Sequence, residues 1–226
     1  MGGFSIMQFY WDGGLFMHPI LAVMVISSVF CVKQYLNLSF NFTVNAKFFG
    51  KIKTLVKDGR IQEAYQSCLT TSHPLSKVLA AILYNSNKGK DAIESASNIE
   101  IQKVLPYIQS GTNYINMCAN IATLLGLLGT IQGLIQSFTS LNGASGAEKS
   151  AILAQGISTA MNTTAFGLVV AIPCVILYTY LTNKEESILK KYDETISEVT
   201  HLVVFKPHAE TVNEDPNHKE YRRYGT

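Results

Sequence analysis

Charge is what this sequence has least of. Of its 226 residues, 15% are Asp, Glu, Lys or Arg, against roughly 25% in soluble domains. Residues 1–32 hold a single charged side chain, Asp12, and residues 104–147 hold none. A wholly water-exposed globule is excluded on that ground. The formal net charge of +2 provides no field for a polyanion, so nucleic acid is excluded as a partner. Cysteine is sparse: Cys31, Cys68, Cys118 and Cys174 form no CxxC and no metal-ligand spacing. Three lie in apolar stretches and read as small buried hydrophobes. No nucleophile–base pair, phosphate loop or metal cluster is present, which argues against an enzyme and against a resident cofactor. The N-terminus lacks a basic n-region, so no cleavable signal is expected and the first apolar run stays as an anchor.

What the chain does have is apolar length, 47% hydrophobic residues in all, gathered into three runs long enough to cross a bilayer. Residues 1–14 form an outer interfacial segment in which Phe9, Tyr10 and Trp11 sit where interfacial aromatics belong, and Gly13-Gly14 breaks the chain. The first span is 15–36, with Pro19 in its opening turn, where its missing N–H is harmless, and with Lys33 near its end, placed to snorkel. His18 reads as an interfacial helix-end histidine rather than a proton relay. Residues 37–107 read as a helical cytoplasmic domain; Phe48, Ile52, Leu55 and Val56 make one apolar face. Asp58-Gly59 and His73-Pro74 mark turns. Pro106 is the expected kink or boundary before the second span, 108–138. A polar loop at 139–151 precedes the third span, 152–183, which Pro173 should bend. An amphipathic extension follows at 184–205, with Ile188, Tyr192, Ile196, Val199 and Val203 at helical spacing. The polar tail, 206–226, is expected to be disordered.

The spans carry groups that lipid tolerates poorly. In the second, Gly126, Gly129 and Gly133 include a GxxxG that permits close helix contact. Asn113, Asn116, Asn120, Thr123 and Thr130 fall near one heptad-spaced stripe, which reads as interhelical hydrogen bonding or as pore lining. The third span begins with Gln155, Ser158, Thr159, Asn162, Thr163 and Thr164. Such residues inside a span face a bundle interior or a watery path. Sixteen of the eighteen Lys and Arg lie in 41–110 and in the C-terminal part from 184 to 226. The positive-inside bias therefore puts both in the cytoplasm and the N-terminus outside.

Three separated motifs resemble the ExbB/TolQ/MotA proton-channel family, closest to ExbB and TolQ. ATLLGLLGTIQGLIQSF is similar to that family's APLLGLLGTVxGMIxxF, and GISTAMNTTAFGLVVAIPCVILY to its GIxEALxxTAxGLxVAIPAVxxY. DGGLFMHPILAVMVIS resembles the start of its first helix, and the segment GRIQEAYQSCLTTSHPLSKVLAAIL resembles the cytoplasmic region that follows. The likeness covers roughly residues 10–185. It implies an all-α membrane protein with three transmembrane helices and long cytoplasmic helical extensions, assembled as a homopentameric ring in the bilayer of the inner membrane. Two copies of an ExbD/TolR-like single-span partner, each with a membrane aspartate, would stand inside the ring. H+ or Na+ flow would be turned into mechanical work in the periplasm, with a TonB/TolA-like protein as a third component in some systems. By motif match Thr130 and Thr164 are the pore threonines facing the partner's aspartate. Thr123, Thr159, Asn162 and Thr163 complete the lining; Gly126, Gly129 and Gly133 are the close-packing glycines and Pro173 the kink proline.

Two departures from the family pattern carry chemistry. Thr123 replaces its usual proline, and Thr159 replaces the carboxylate of GIxEAL. The wall then offers the hydroxyls of Thr159, Thr163 and Thr164 and no titrating group. A Thr-Thr pair at 163–164 resembles the sodium-driven stators. Hydroxyl oxygens coordinate Na+ without titrating, so the reading leans to Na+, held transiently at Thr163 and Thr164, over H+. The alternative for these threonines is hydrogen bonding to backbone carbonyls of their own helix. For the whole chain the alternatives are a MotA-like flagellar stator subunit, which usually has four spans, and a membrane scaffold without ion conduction.

Overall fold

A computed structural model describes residues 6–42, 46–142 and 145–205. Among these residues there is no strand. Eight helices follow in order: α1 Ile6–Asp12, α2 Met17–Phe40, α3 Ala46–Lys57, α4 Ile61–Leu69, α5 Pro74–Tyr84, α6 Lys90–Gln109, α7 Thr112–Ser140 and α8 Gly146–Phe205. Three helical stretches are long and apolar enough to cross a membrane, lying within Met17–Phe40, Lys90–Ser140 and Glu148–Phe205. The segment expected to be disordered, 206–226, lies outside the described residues, as do 1–5 of the interfacial segment. The chain divides into two compact units.

The first, the spanning unit, comprises the chain up to Gln34 together with Gly111–Leu181. Gly14 enters α2 with φ +74°, a left-handed turn open mainly to glycine. Here α2 contributes Ile20 to a thin core shared with Ile115, Ala119 and Ala122 of α7 and Val170, Ala171, Cys174 and Leu181 of α8. Ser27 Oγ and Cys174 Sγ are 3.0 Å apart and hydrogen-bonded. Phe30 stacks on Tyr114 at 5.1 Å. Most large side chains point outward: Val29, Leu124, Met161 and Ile176 are each about three-fifths exposed.

The second, the charged unit, comprises Tyr35–Ser110 and the chain from Thr182 onward. Its core is built of bulky residues: Phe49, Ile52 and Val56 of α3, Ile61 and Tyr65 of α4, Leu75, Leu79 and Ile82 of α5, and Tyr192 and Val199 of α8. Phe49 takes the core place next to Phe48, which is half-buried. His73 is the N-cap of α5: its Nδ1 accepts from Leu75 N–H at 3.2 Å, and Pro74 fills the first helical position. Lys53 and Glu198 form an ion pair between α3 and α8. Burial pushes the Cys68 thiol up to about 12 and raises the Tyr192 phenol as well.

Two boundaries differ from the sequence reading. Pro106 lies inside α6, and the break falls at Ser110-Gly111. Ser110 N–H donates to Pro106 O at 2.9 Å, so the helix closes its last turn on the proline's carbonyl, which remains able to accept. The stretch 139–151 is largely helical at its edges. At the start of α8 the Ser145 N–H donates to Glu148 Oε2 at 2.9 Å, and the helix begins six residues before Ile152. That bond and a second one to Ser145 hold the Glu148 carboxyl below its ordinary value.

Candidate ion pathway

The α7 and α8 helices pair closely in the spanning unit because small residues meet small residues. On α7, Gly126, Gly129, Gly133 and Ser137 are all buried. Opposite them stand Gly156, Ala160, Thr163, Thr164 and Gly167 of α8. A methyl placed on Gly126 would lie 3.3 Å from Thr164 Cα and 3.4 Å from Gly167 Cα; on Gly133 it would lie 3.3 Å from Ala160 Cβ. On Gly167 it would come within 2.8 Å of the Ala122 carbonyl oxygen. The backbones themselves are in contact, which only glycine allows. Pro173 lies inside α8, exposed, seven residues beyond Phe166.

The threonines sort by partner. Thr163 is 1% exposed. Its Oγ1 donates to the carbonyl of Gly13 at 2.7 Å and has that of Thr159 at 2.8 Å as a second acceptor. Thr164 Oγ1 donates across to Gly126 O at 3.1 Å. Thr123 donates to Ala119 O at 3.1 Å and Thr130 to Leu127 O at 2.6 Å, each within α7. Thr159 is half-buried with its methyl 3.3 Å from where a Cβ on Gly14 would stand. Asn162 is half-buried beside it. The own-helix bonding raised as an alternative for the α8 threonines is open to Thr163, through the Thr159 carbonyl, whereas Thr164 bonds across to α7. Through Gly13 and Gly126 the two adjacent threonines also link α8 to the Gly13 turn and to α7. Donating a hydroxyl hydrogen leaves both lone pairs of the oxygen for a cation or water.

Around this turn the aromatics of α1 gather: Phe166 lies 6.5 Å from Phe9 and 6.1 Å from Tyr10, and Tyr10 meets His18 edge-on at 5.4 Å. His18 is exposed at the start of α2. Sequence reasoning misses the Gly13 carbonyl as partner of Thr163, and it misses Gly156 and Gly167 as packing residues. The second was legible: Gly156, Ala160, Thr163 and Gly167 repeat at four-three-four spacing, the complement of the α7 glycines. Between Gly13 and Gln34, in α7, and from Ser150 to Asn183 there is no carboxylate. Among the described residues no group of three or more His, Cys, Asp or Glu could hold a metal ion.

The MotA/TolQ/ExbB proton channel family model matches residues 69–194, more than half of the chain, including all of α7 and α8 up to residue 194. The chain belongs to that family. It is 26% identical over 201 residues to the biopolymer transport protein exbB1 of Vibrio cholerae, covering 86% of this chain and 87% of that one. It is 22% identical over 210 residues to the biopolymer transport protein ExbB of Salmonella typhimurium, covering 84% of each. The Tol-Pal system protein TolQ of Haemophilus influenzae matches over 108 residues at 30% identity, 48% of this chain and 47% of that one. This MotA/TolQ/ExbB member is a membrane protein, with α2, α7 and α8 supplying its three apolar crossings.

Proposed function

We propose that this chain is the ion-channel subunit of an ExbBD/TolQR-type motor in the inner membrane, coupling cation flow to work in the periplasm. The observation that carries the reading is the α7/α8 pair: α7 and the 150–183 stretch of α8 carry no charge, are held backbone to backbone by glycines, and have Thr130, Thr163 and Thr164 at or beside the contact. Threonine does not titrate near neutral pH, and no carboxylate lies in these spans. Ion uptake therefore uses an acid from elsewhere, the membrane aspartate of an ExbD/TolR-like single-span partner. Five copies form the ring, with two partner helices inside it and α2 outside. The N-terminus faces the periplasm, and residues 41–110 with the tail face the cytoplasm, as the Lys and Arg distribution supports. Thr130 and Thr164 face the partner's aspartate; Thr123, Thr159, Asn162 and Thr163 contribute to the lining. With hydroxyls where the family pattern has an acid, Na+ is the favoured ion.

Purified subunit, with and without its single-span partner, reconstituted into proteoliposomes tests the assignment. The complex conducts a monovalent cation and the subunit alone does not. Equal conduction by both would overturn the partner's role. Full activity of the intact system in Na+-free buffer, with the proton gradient preserved, would overturn the choice of ion.

A further inference from the structure

Among the described residues, one face of α7 has no occupant, and it is polar. The helix carries three stripes, each repeating at three- and four-residue steps. The buried one runs from Thr112 to Ser137 against α8. The apolar one includes Met117, Ile121, Leu124, Leu128 and Ile131, all exposed. Between them runs Asn113, Asn116, Asn120, Thr123 and Thr130, interrupted only by Leu127. Asn113, Asn120 and Thr123 are exposed and Asn116 and Thr130 half-buried. The hydroxyls of Thr123 and Thr130 are turned to their own helix. Among the described residues none of the three amides is hydrogen-bonded within the chain. In lipid an unsatisfied amide costs several kcal/mol, so three in a row at helical register need a polar occupant.

We infer that Asn113, Asn116 and Asn120 line the inner half of the ion path, carrying the cation and its water between the threonines and the cytoplasmic end of α7. This rests on the proposed function and names the route at that same site. From Thr130 to Asn113 is 17 residues, about 26 Å of helix, close to the thickness of the hydrocarbon core. Asparagine suits the task. Its carbonyl oxygen ligates a cation or accepts from water, its NH2 donates to water, and it holds no charge that would trap the ion. The tyrosine and methionine side chains of the neighbouring stripe, Tyr114 and Met117, offer no such set.

The experiment uses the full chain in complex with its partner. Single cysteines at 113, 116, 120, 117, 121 and 124 are introduced after the native four are replaced by serine or alanine. A membrane-impermeant cationic thiol reagent is applied from the cytoplasmic side. Positions 113, 116 and 120 label and positions 117, 121 and 124 do not. In parallel Asn120→Leu lowers ion flux about tenfold, the effect of one lost polar contact of ordinary strength, and Asn120→Ser retains most of it. If the amide positions stay unlabelled in the assembled complex, or Asn120→Leu conducts normally, the inner path is elsewhere and the amides are helix-to-helix hydrogen bonds. Labelling reads water and not current. A complex that labels at the three amide positions but passes no cation would thus refute the motor function while leaving the wet stripe standing.

Discussion

The two units are folded by opposite rules. In the charged unit the large side chains are inside: Tyr65, Ile52, Leu79 and Ile82 are at most 1% exposed. Removing them from water drives the packing. In the spanning unit most of the large side chains are outside, and beside a thin core of Ile20, Ile115, Val170 and Leu181 what is buried is small: Gly126, Gly129, Gly133, Ala122, Ala160, Thr163 and Ser27. Lipid is as apolar as leucine, so burying leucine there gains little. Close backbone contact and hydrogen bonds hold the helices instead. The same residue type thus means different things in the two places. A leucine is structural in one and a solvent contact in the other; a glycine is a weak point in one and an essential contact in the other.

Leu79→Ala attacks the charged unit at its centre, where the side chain is fully buried, and should cost about 2–5 kcal/mol. Cys68, whose thiol is buried and held un-ionised up to about 12, provides the readout. It reacts with a thiol reagent only when this unit opens, so the variant should label at lower urea than the wild type. The sign for pH follows from the same shift: the folded thiol stays protonated, so its stabilising contribution is complete below 9 and is lost as pH rises from 9 towards 12.

Gly167→Ala reverses the logic in the spanning unit. One methyl, 2.8 Å from the Ala122 carbonyl oxygen, should cost about 1–3 kcal/mol by forcing α7 and α8 apart. A lowered melting temperature of the detergent-purified protein, with Cys68 protection unchanged below that temperature, is the expected pattern. Thr163→Val keeps the shape and deletes the hydroxyl that reaches Gly13. Bonds of this kind in membranes are worth about 0.6 kcal/mol on average and up to about 1.7. Faster proteolysis between Trp11 and Met17, relative to the wild type, would report the freed turn; no change would show that the bond contributes nothing.

Gly50 is the counterpart in the charged unit. It lies in the middle of α3, and a methyl added there would meet nothing within 4 Å. Gly50→Ala should therefore stabilise, by up to about 1 kcal/mol, seen as a higher urea midpoint in the Leu79→Ala assay. The smallest effect belongs to Glu148→Gln at the start of α8. The carboxyl is held below its ordinary 4.5 by Ser145, so its contribution is present above that value and is lost as pH falls through the lower folded value. Amide chemical shifts of residues 145–149 should respond to acidification in the wild type and not in the variant.

Much of this was written in the linear chain. Apolar runs without charge announce spanning helices, and the three motifs announce the family, because both signals are local. The glycine triplet at 126, 129 and 133 is legible in the same way, since its spacing alone puts it on one side of a helix. His73 was legible only as a turn. That its ring caps α5 depends on a nitrogen 3.2 Å from Leu75 N–H, a detail of orientation that spacing does not contain. Pro106 misled because proline strains the helix behind it, while its carbonyl can still close the turn ahead.

Sequence by itself determined that the protein is all-α, that it has three apolar crossings, that no carboxylate lies within them, and that it belongs with ExbB and TolQ. Each of these depends on composition and period along a single stretch. Only the tertiary structure decided which polar groups are spent and which are left. Thr163 reaches Gly13 across 150 positions, and Thr164 reaches Gly126 across 38, whereas Asn113, Asn116 and Asn120 reach nothing among the described residues. A hydrogen bond is satisfied by whatever is nearest in space, and that neighbour is fixed by how the helices pack.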